Sequence, residues 1–243
     1  MTIKESFSRI NGLTWMPWIG EKFTSCSNHI MVLGESHYLH DGLSCEDIDN
    51  DPGYTSEVVR EYVVYGKNGG DQWKMYEPIE RVLRGVCFDD STERQDIWNS
   101  IAYMNIIQHV LEEKSGGKKW MDFYNGWRII LQVVHIIKPG IIICFSTDKL
   151  LNRVNFNRLP EFKDNVDYEY TITPNADTNI KIGRDSVASP GGITFTEDGV
   201  LIPVVFLRHA ARTKGECLEA WQDVLMRTLC QLNWQSAPSP QTN

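Results

Sequence analysis

Between Ile30 and Asp41 an unbroken apolar run, Ile30-Met-Val-Leu33, stops at Gly34, and polar, titratable residues crowd in behind it as Glu35-Ser-His-Tyr-Leu-His-Asp41. A short run of this kind closed by glycine suits a strand covered on both faces, which is how parallel strands are buried. In open α/β sheets ligands bind beyond the carboxyl ends of such strands. Glu35, Ser36, His37, Tyr38, His40 and Asp41 therefore occupy the place where chemistry is usually done. The same pattern also serves an ordinary strand-to-helix turn whose polar residues only cap and solvate.

Other stretches repeat the theme. Ile101 to Ile107 is apolar except for Asn105, a buried amide whose partners must be either neighbouring backbone or a ligand. Trp120 to Ile137 places Phe123, Trp127, Ile130, Val134 and Ile137 at helical spacing, and Lys138-Pro-Gly140 then leads into a third buried run, Ile141 to Phe145. That order is the crossover unit of a parallel sheet. Ile193 to Leu207 reads as a hairpin turning at Asp198-Gly199 and flowing into the last core strand, which ends in the polar cluster Arg208-His-Ala-Ala-Arg-Thr213. Thr55 to Tyr65, Trp73 to Leu83 and Lys214 to Leu232 read as helices, with a shorter one over Ser146 to Asn152. The Gly66-Lys-Asn-Gly-Gly70 linker lacks the ending of a phosphate-cradling loop and reads as a turn. Residues 153–192 break the rhythm and read as an inserted arm, and the tail from Ser236 reads as frayed. The expected fold is a single α/β domain over residues 1–243, with a mostly parallel sheet of about four strands flanked by helices.

Composition narrows the function classes. With 243 residues, 42% hydrophobic and 23% charged, the chain can bury one large core. A formal net charge of −8 does not suggest a generic polyanion binder, so any contact with nucleic acid needs a local basic face. The six cysteines are scattered with no C-x-x-C pair, which signals neither a zinc site nor an iron–sulfur cluster; no metal and no cofactor is expected. No signal peptide or membrane-length apolar run is evident, and a cytoplasmic protein with reduced thiols and no membrane partner is expected. The acidic stretch Glu46 to Asp51 lacks the glycine and final glutamate of a calcium loop and reads as a solvated loop. Trp15 and Trp18, ahead of the first strand, either pack across the sheet edge or stack on a nucleobase.

Taken together, Gly34-Glu-Ser-His-Tyr38, Tyr103-Met-Asn-Ile-Ile-Gln108 and His209-Ala-Ala211 resemble the motifs of the uracil-DNA glycosylase superfamily. These are a glycine-led loop after the first strand (G-Q-D-P-Y-H, G-E-x-P-G or G-x-N-P), a strand carrying an asparagine, and a late H-P-S or H-P-A loop. Val133 to Ser146 is similar to the superfamily's L-K-P-x-V-I-V-x-L-G segment and lies in the matching place. Ser36 stands where two branches keep an aspartate or asparagine, His37 replaces the proline, and no proline follows His209.

The resemblance implies a three-layer fold and hydrolysis of an N-glycosidic bond in DNA after the nucleotide is flipped out of the stack. It implies Glu35 as the carboxylate that favours the sugar cation and orients water, with Ser36 and His37 as further catalytic candidates. His209 would donate a hydrogen bond to the pyrimidine O2. Asn105 would read the base edge, with Gly34 and Tyr38 shaping its pocket. Tyr76 and Trp73 either stack on the base or pack in the core, and Arg208, Arg212 and Lys214 would hold phosphates. DNA is the expected partner of a monomer with no obligate protein partner. The departures from the usual loop, together with the Asn, Asp and Thr groups of the arm, favour a modified base. Hydroxymethylated or glucosylated cytosine of phage DNA is the leading expectation, in an antiviral role. An atypical uracil-DNA glycosylase of base-excision repair, a non-catalytic nucleic-acid binder on the same fold, and an unrelated small-molecule enzyme are the alternatives.

Overall fold

Alternate residues of each central strand feed two separate cores, and that alternation sets the layers. The computed structural model describes residues 2–26, 29–39, 42–66, 73–112, 119–145, 180–182, 185–195, 200–207 and 216–231. The chain runs α1 (Ile3–Phe7), β1 (Trp18–Ile19), β2 (Ile30–Gly34), α2 (Cys45–Asp49), α3 (Tyr54–Tyr65), α4 (Trp73–Leu83) and α5 (Arg94–Asn99). It continues through β3 (Ile101–Asn105), α6 (Trp120–Ile137), β4 (Ile141–Cys144), β5 (Ile180–Ile182), β6 (Asp185–Phe195), β7 (Val200–Leu207) and α7 (Glu216–Gln231). Met31, Leu33, Ala102, Met104, Ile142, Cys144 and Val204 face a core closed by Phe7 of α1 and by Phe123, Trp127, Ile130 and Val134 of α6. Ile30, Val32, Ile101, Tyr103, Ile141, Ile143, Val205 and Leu207 face the opposite core, closed by α3, α4, α5 and α7. With both faces covered, these strands need continuous apolar runs.

The strands form one seven-stranded sheet in the order β1-β3-β2-β4-β7-β6-β5. β3, β2, β4 and β7 are mutually parallel. β1 pairs antiparallel with β3 at one edge, and β6 and β5 extend the other edge antiparallel. The expected α/β class and the parallel centre are therefore present, in a sheet wider than expected. The helix over Trp120–Ile137 has the bounds expected from its periodicity. The hairpin pairing is also present, with Phe195 opposite Val200, while the turn itself lies outside the described residues.

Two expectations are corrected. Part of the supposed arm belongs to the sheet: Asp185 to Gly192 pairs with β7, with Pro190 opposite Val205. Ser, Pro and Gly in this run carry no alternation, so pairing rests on the backbone. Among the described residues β5 pairs only with Asp185 to Ala188, so Pro190 has no partner strand there on the side away from β7, where a missing N–H is tolerated. The acidic stretch is helical, opened by a Ser44–Asp47 capping box and anchored by buried Ile48. Trp15 is 1% exposed and its indole N–H donates to the Ile48 carbonyl at 2.9 Å, while the Trp18 indole donates to the Trp98 carbonyl at 2.9 Å. Both are used in packing, the first of the two expected uses, Trp18 in the edge strand and Trp15 against Ile48 and Val110. The expected helix over Ser146 to Asn152, and residues 153–179 of the arm, lie outside the described residues. Among the described residues no helix is long and apolar enough to cross a membrane.

Candidate active site

The loops that follow β2 and β3 run side by side and are joined along their length. Ile106 N–H donates to the Gly34 carbonyl, Ile107 to Glu35, Leu111 to His37, and Leu39 to Leu111. The Ser36 hydroxyl crosses between them to the His109 carbonyl at 2.8 Å. From outside, Asp49 accepts from Val110 N–H at 2.9 Å, and Gln108 joins Trp15 N–H to the Asn105 carbonyl. α6 seats closely against this lip: a Cβ on Gly126 would lie 2.1 Å from the Ile106 carbonyl oxygen. Glycine in a helix interior costs about 0.5–1 kcal/mol relative to alanine, and here it permits the close approach.

Asn105 is the last residue of β3 and stands directly opposite Gly34 in the parallel register. Its side chain lies across Gly34, where a Cβ would come within 2.3 Å of Asn105 Oδ1 and 2.2 Å of the Tyr103 hydroxyl. Gly34 is thus a requirement of space, which is the role of the loop's leading glycine. Met75 of α4 closes the same spot from the side. The Tyr103 hydroxyl donates to Asn105 Oδ1 at 2.9 Å, and the Tyr76 ring lies edge-on to that of Tyr103 at 5.4 Å. Burial raises both phenols well above the ordinary tyrosine range, so both stay protonated. The Asn105 side chain is 1% exposed, and among the described residues its amide nitrogen has no hydrogen-bond partner. An amide donor left unpaired at the carboxyl end of a central strand is a candidate contact for a ligand.

Glu35 is 1% exposed and accepts a hydrogen bond from the Tyr38 hydroxyl at 2.8 Å. Tyr38 packs against the α6-side core, whereas Asn105 follows Tyr103 on the α4 side. The two candidate groups therefore flank the lip of the sheet from opposite faces.

Other expected site residues take supporting positions. His37 hydrogen-bonds Thr55 of α3 through Nε2 at 2.8 Å and lies edge-on between Trp15 and Tyr54, at centroid distances of 4.7 and 4.8 Å. Ser36 spends its hydroxyl proton on the His109 and His37 carbonyls. These bonds tie both residues to the loop and its scaffold. Tyr76, 3% exposed and ringed by Tyr62, Trp98 and Tyr103, has no open face for a base and belongs to the core. His209, Arg208, Arg212 and Lys214 lie outside the described residues, as do His40 and Asp41.

Tyr103 was absent from the expected site, although period-two alternation puts it on the same face as Asn105. A second buried polar cluster, unannounced in the sequence, gathers on α4. Glu80 accepts from the Tyr62 hydroxyl at 2.9 Å, Arg84 at 2.7 Å and Arg94 at 3.1 Å. Arg84 also donates to the Asp90 and Thr92 carbonyls. No family model matches this chain, and no curated protein matches it in sequence.

Proposed function

We propose that the protein is a DNA glycosylase that hydrolyses the N-glycosidic bond of a pyrimidine nucleotide turned out of the helix, leaving an abasic site. The observation that carries this reading is the Asn105 amide, 1% exposed, held at its oxygen by Tyr103 and with its nitrogen unpaired among the described residues. An amide suits the edge of a base because it offers a donor and an acceptor side by side. Across the lip, Glu35 is held by Tyr38. A base on Asn105 with its sugar above the joined loops would bring the carboxylate to the sugar. The carboxylate stabilises the cationic sugar as the bond from C1′ to the base nitrogen breaks. Both bonding electrons leave with the base; water adds its oxygen to C1′, and its released proton balances the charge on the base. His209, carried over from the resemblance, would donate to O2 as that charge develops.

The preference for modified cytosine rested on the atypical Gly34 loop, on an Asn105 amide able to read a cytosine edge, and on the 153–192 arm. With Asp185 to Gly192 in the sheet, the arm as a whole no longer stands as a detachable pocket wall, and the base is left to experiment.

The test is single-turnover excision from matched oligonucleotides carrying uracil, cytosine or 5-hydroxymethylcytosine, and from phage DNA carrying glucosylated hydroxymethylcytosine. Alkali-labile strand breaks at the target position are the expected result, lost in Glu35→Gln. Salt-sensitive DNA binding without any abasic product would overturn the catalytic reading in favour of a nucleic-acid binder.

A further inference from the structure

The Glu80 network is complete at the carboxylate but not on its outer side. Arg84 and Arg94 share Glu80, through Nη2 at 2.7 Å and Nε at 3.1 Å. Arg84 also donates through Nη1 to the Asp90 and Thr92 carbonyls, which fixes the segment that carries Ser91, Thr92 and Arg94. Arg94 itself is held on three sides. Glu80 takes its Nε, its Cζ lies 4.8 Å from the centre of the Tyr62 ring, and Gly66 abuts Nη1 so closely that a Cβ there would collide with it. Neither Nη1 nor Nη2 of Arg94 has an acceptor among the described residues.

Both arginines line a hollow of about 440 Å³, to which Ser91 and Thr92 add hydroxyls and in which Val63 is the one hydrophobic residue. A guanidinium fixed in this way has already lost the rotamer freedom that binding would otherwise take from it, and its terminal nitrogens form a fork that matches two oxygens of one anion. A carboxylate has only two oxygens, and the fork takes both. A phosphate has further oxygens for the neighbouring hydroxyls. Two guanidinium charges meet the one carboxylate of Glu80, and the excess positive charge faces Glu93, an exposed residue that also lines the hollow. Glu93 opposes any anion there, so selection rests on the geometry of the fork.

We propose that Arg94, held by Glu80 and Tyr62, forms with Ser91 and Thr92 a binding site for a phosphate group, carried either by the backbone of DNA or by a free phosphomonoester. Glu80 and Arg84 support the site from beneath and make no contact with the ligand. None of these residues belongs to the lip at Gly34 and Asn105, so the site stands or falls independently of the excision chemistry.

The test is a titration of the full chain with inorganic phosphate at constant ionic strength, followed by 15N NMR on the backbone amides of Ser91, Thr92 and Gln95, with acetate and chloride as controls. A saturable shift with phosphate and a weaker one with acetate are expected; no shift, or an equal response to acetate, overturns the proposal. Arg94→Lys keeps the charge and loses the fork, and is expected to bind phosphate roughly 10-fold or more weakly. Unchanged affinity in that variant also overturns it. Glu93→Gln, on the exposed side, is expected to tighten binding roughly 2-fold to 5-fold. Unchanged or weaker binding there counts against the site even if Arg94→Lys does not fold. Competition then names the carrier. Displacement of phosphate by a duplex oligonucleotide without a target base assigns the site to the DNA backbone, and displacement by thymidine monophosphate alone assigns it to a free phosphomonoester. Displacement by neither means an adventitious ion only and overturns the proposal.

Discussion

The Asn105 and Glu80 clusters lie on the same face of the sheet and are joined through the rings of Tyr62, Tyr76 and Tyr103, yet one is open and the other closed. Both Glu80 oxygens are taken by Tyr62, Arg84 and Arg94, and Arg94 also lies over the Tyr62 ring at 4.8 Å. That network ties α3, α4 and the segment before α5 into one unit. At Asn105 the tyrosine supplies a single bond and the amide nitrogen is left open. The contrast teaches that burial alone does not mark a site, since Glu80 is 7% exposed and Asn105 1%. The difference between the two clusters is one of hydrogen-bond partners: every Glu80 oxygen is taken, and the Asn105 amide nitrogen is not.

The largest effects that test this contrast are on chemistry. Glu35→Gln is expected to slow excision by at least about 10²-fold in single-turnover assays with the fold intact, because glutamine keeps a carbonyl for Tyr38 but no charge. An unchanged rate removes Glu35 from the mechanism. Asn105→Ala is expected to lose a similar factor, about 10²-fold. Its melting temperature is expected to fall less than that of Glu80→Gln; the reverse order would erase the distinction between open and closed clusters.

For Glu80→Gln the expected loss is in stability. Arg84 and Arg94 side chains are 23% and 35% exposed and recover some hydration, so the cost is about 1–3 kcal/mol, below that of a fully buried pair. In a chain of 243 residues that corresponds to a midpoint lowered by roughly 2–12 °C in calorimetry, with excision retained once folded. Loss of excision at full stability would instead make Glu80 part of the site.

A smaller effect belongs to pH. Burial raises the hydroxyls of Tyr62, Tyr76 and Tyr103 above the ordinary tyrosine value. In the unfolded chain these groups lose their protons near pH 10, whereas the folded chain keeps them, so stability is full below about pH 10 and declines as pH rises beyond it. Absorbance titration is expected to show these tyrosines ionising only together with unfolding. Free ionisation near pH 10 in the folded protein would mean that these hydroxyls are open to water.

Much of this molecule is legible in its sequence because buried parallel strands and amphipathic helices are written in local patterns. The apolar runs at Ile30, Ile101 and Ile141, and the Trp120–Ile137 periodicity, determined the centre of the sheet, its crossovers and the position of Gly34 and Asn105 at strand ends. The edges were not legible: β1 is two residues long, and β6 runs through Ser189-Pro-Gly-Gly192, where pairing rests on backbone bonds that leave no side-chain period. The division of labour inside the Gly34 loop was equally hidden, because Glu35, Ser36 and His37 are all polar residues in one turn. Only tertiary partners distant in sequence, Thr55 and Trp15 for His37 and the His109 carbonyl for Ser36, hold two of them to the scaffold. Sequence determined which groups reach the strand ends, since that depends on local period; the fold decided which of them remain open, since that depends on partners brought together across the chain.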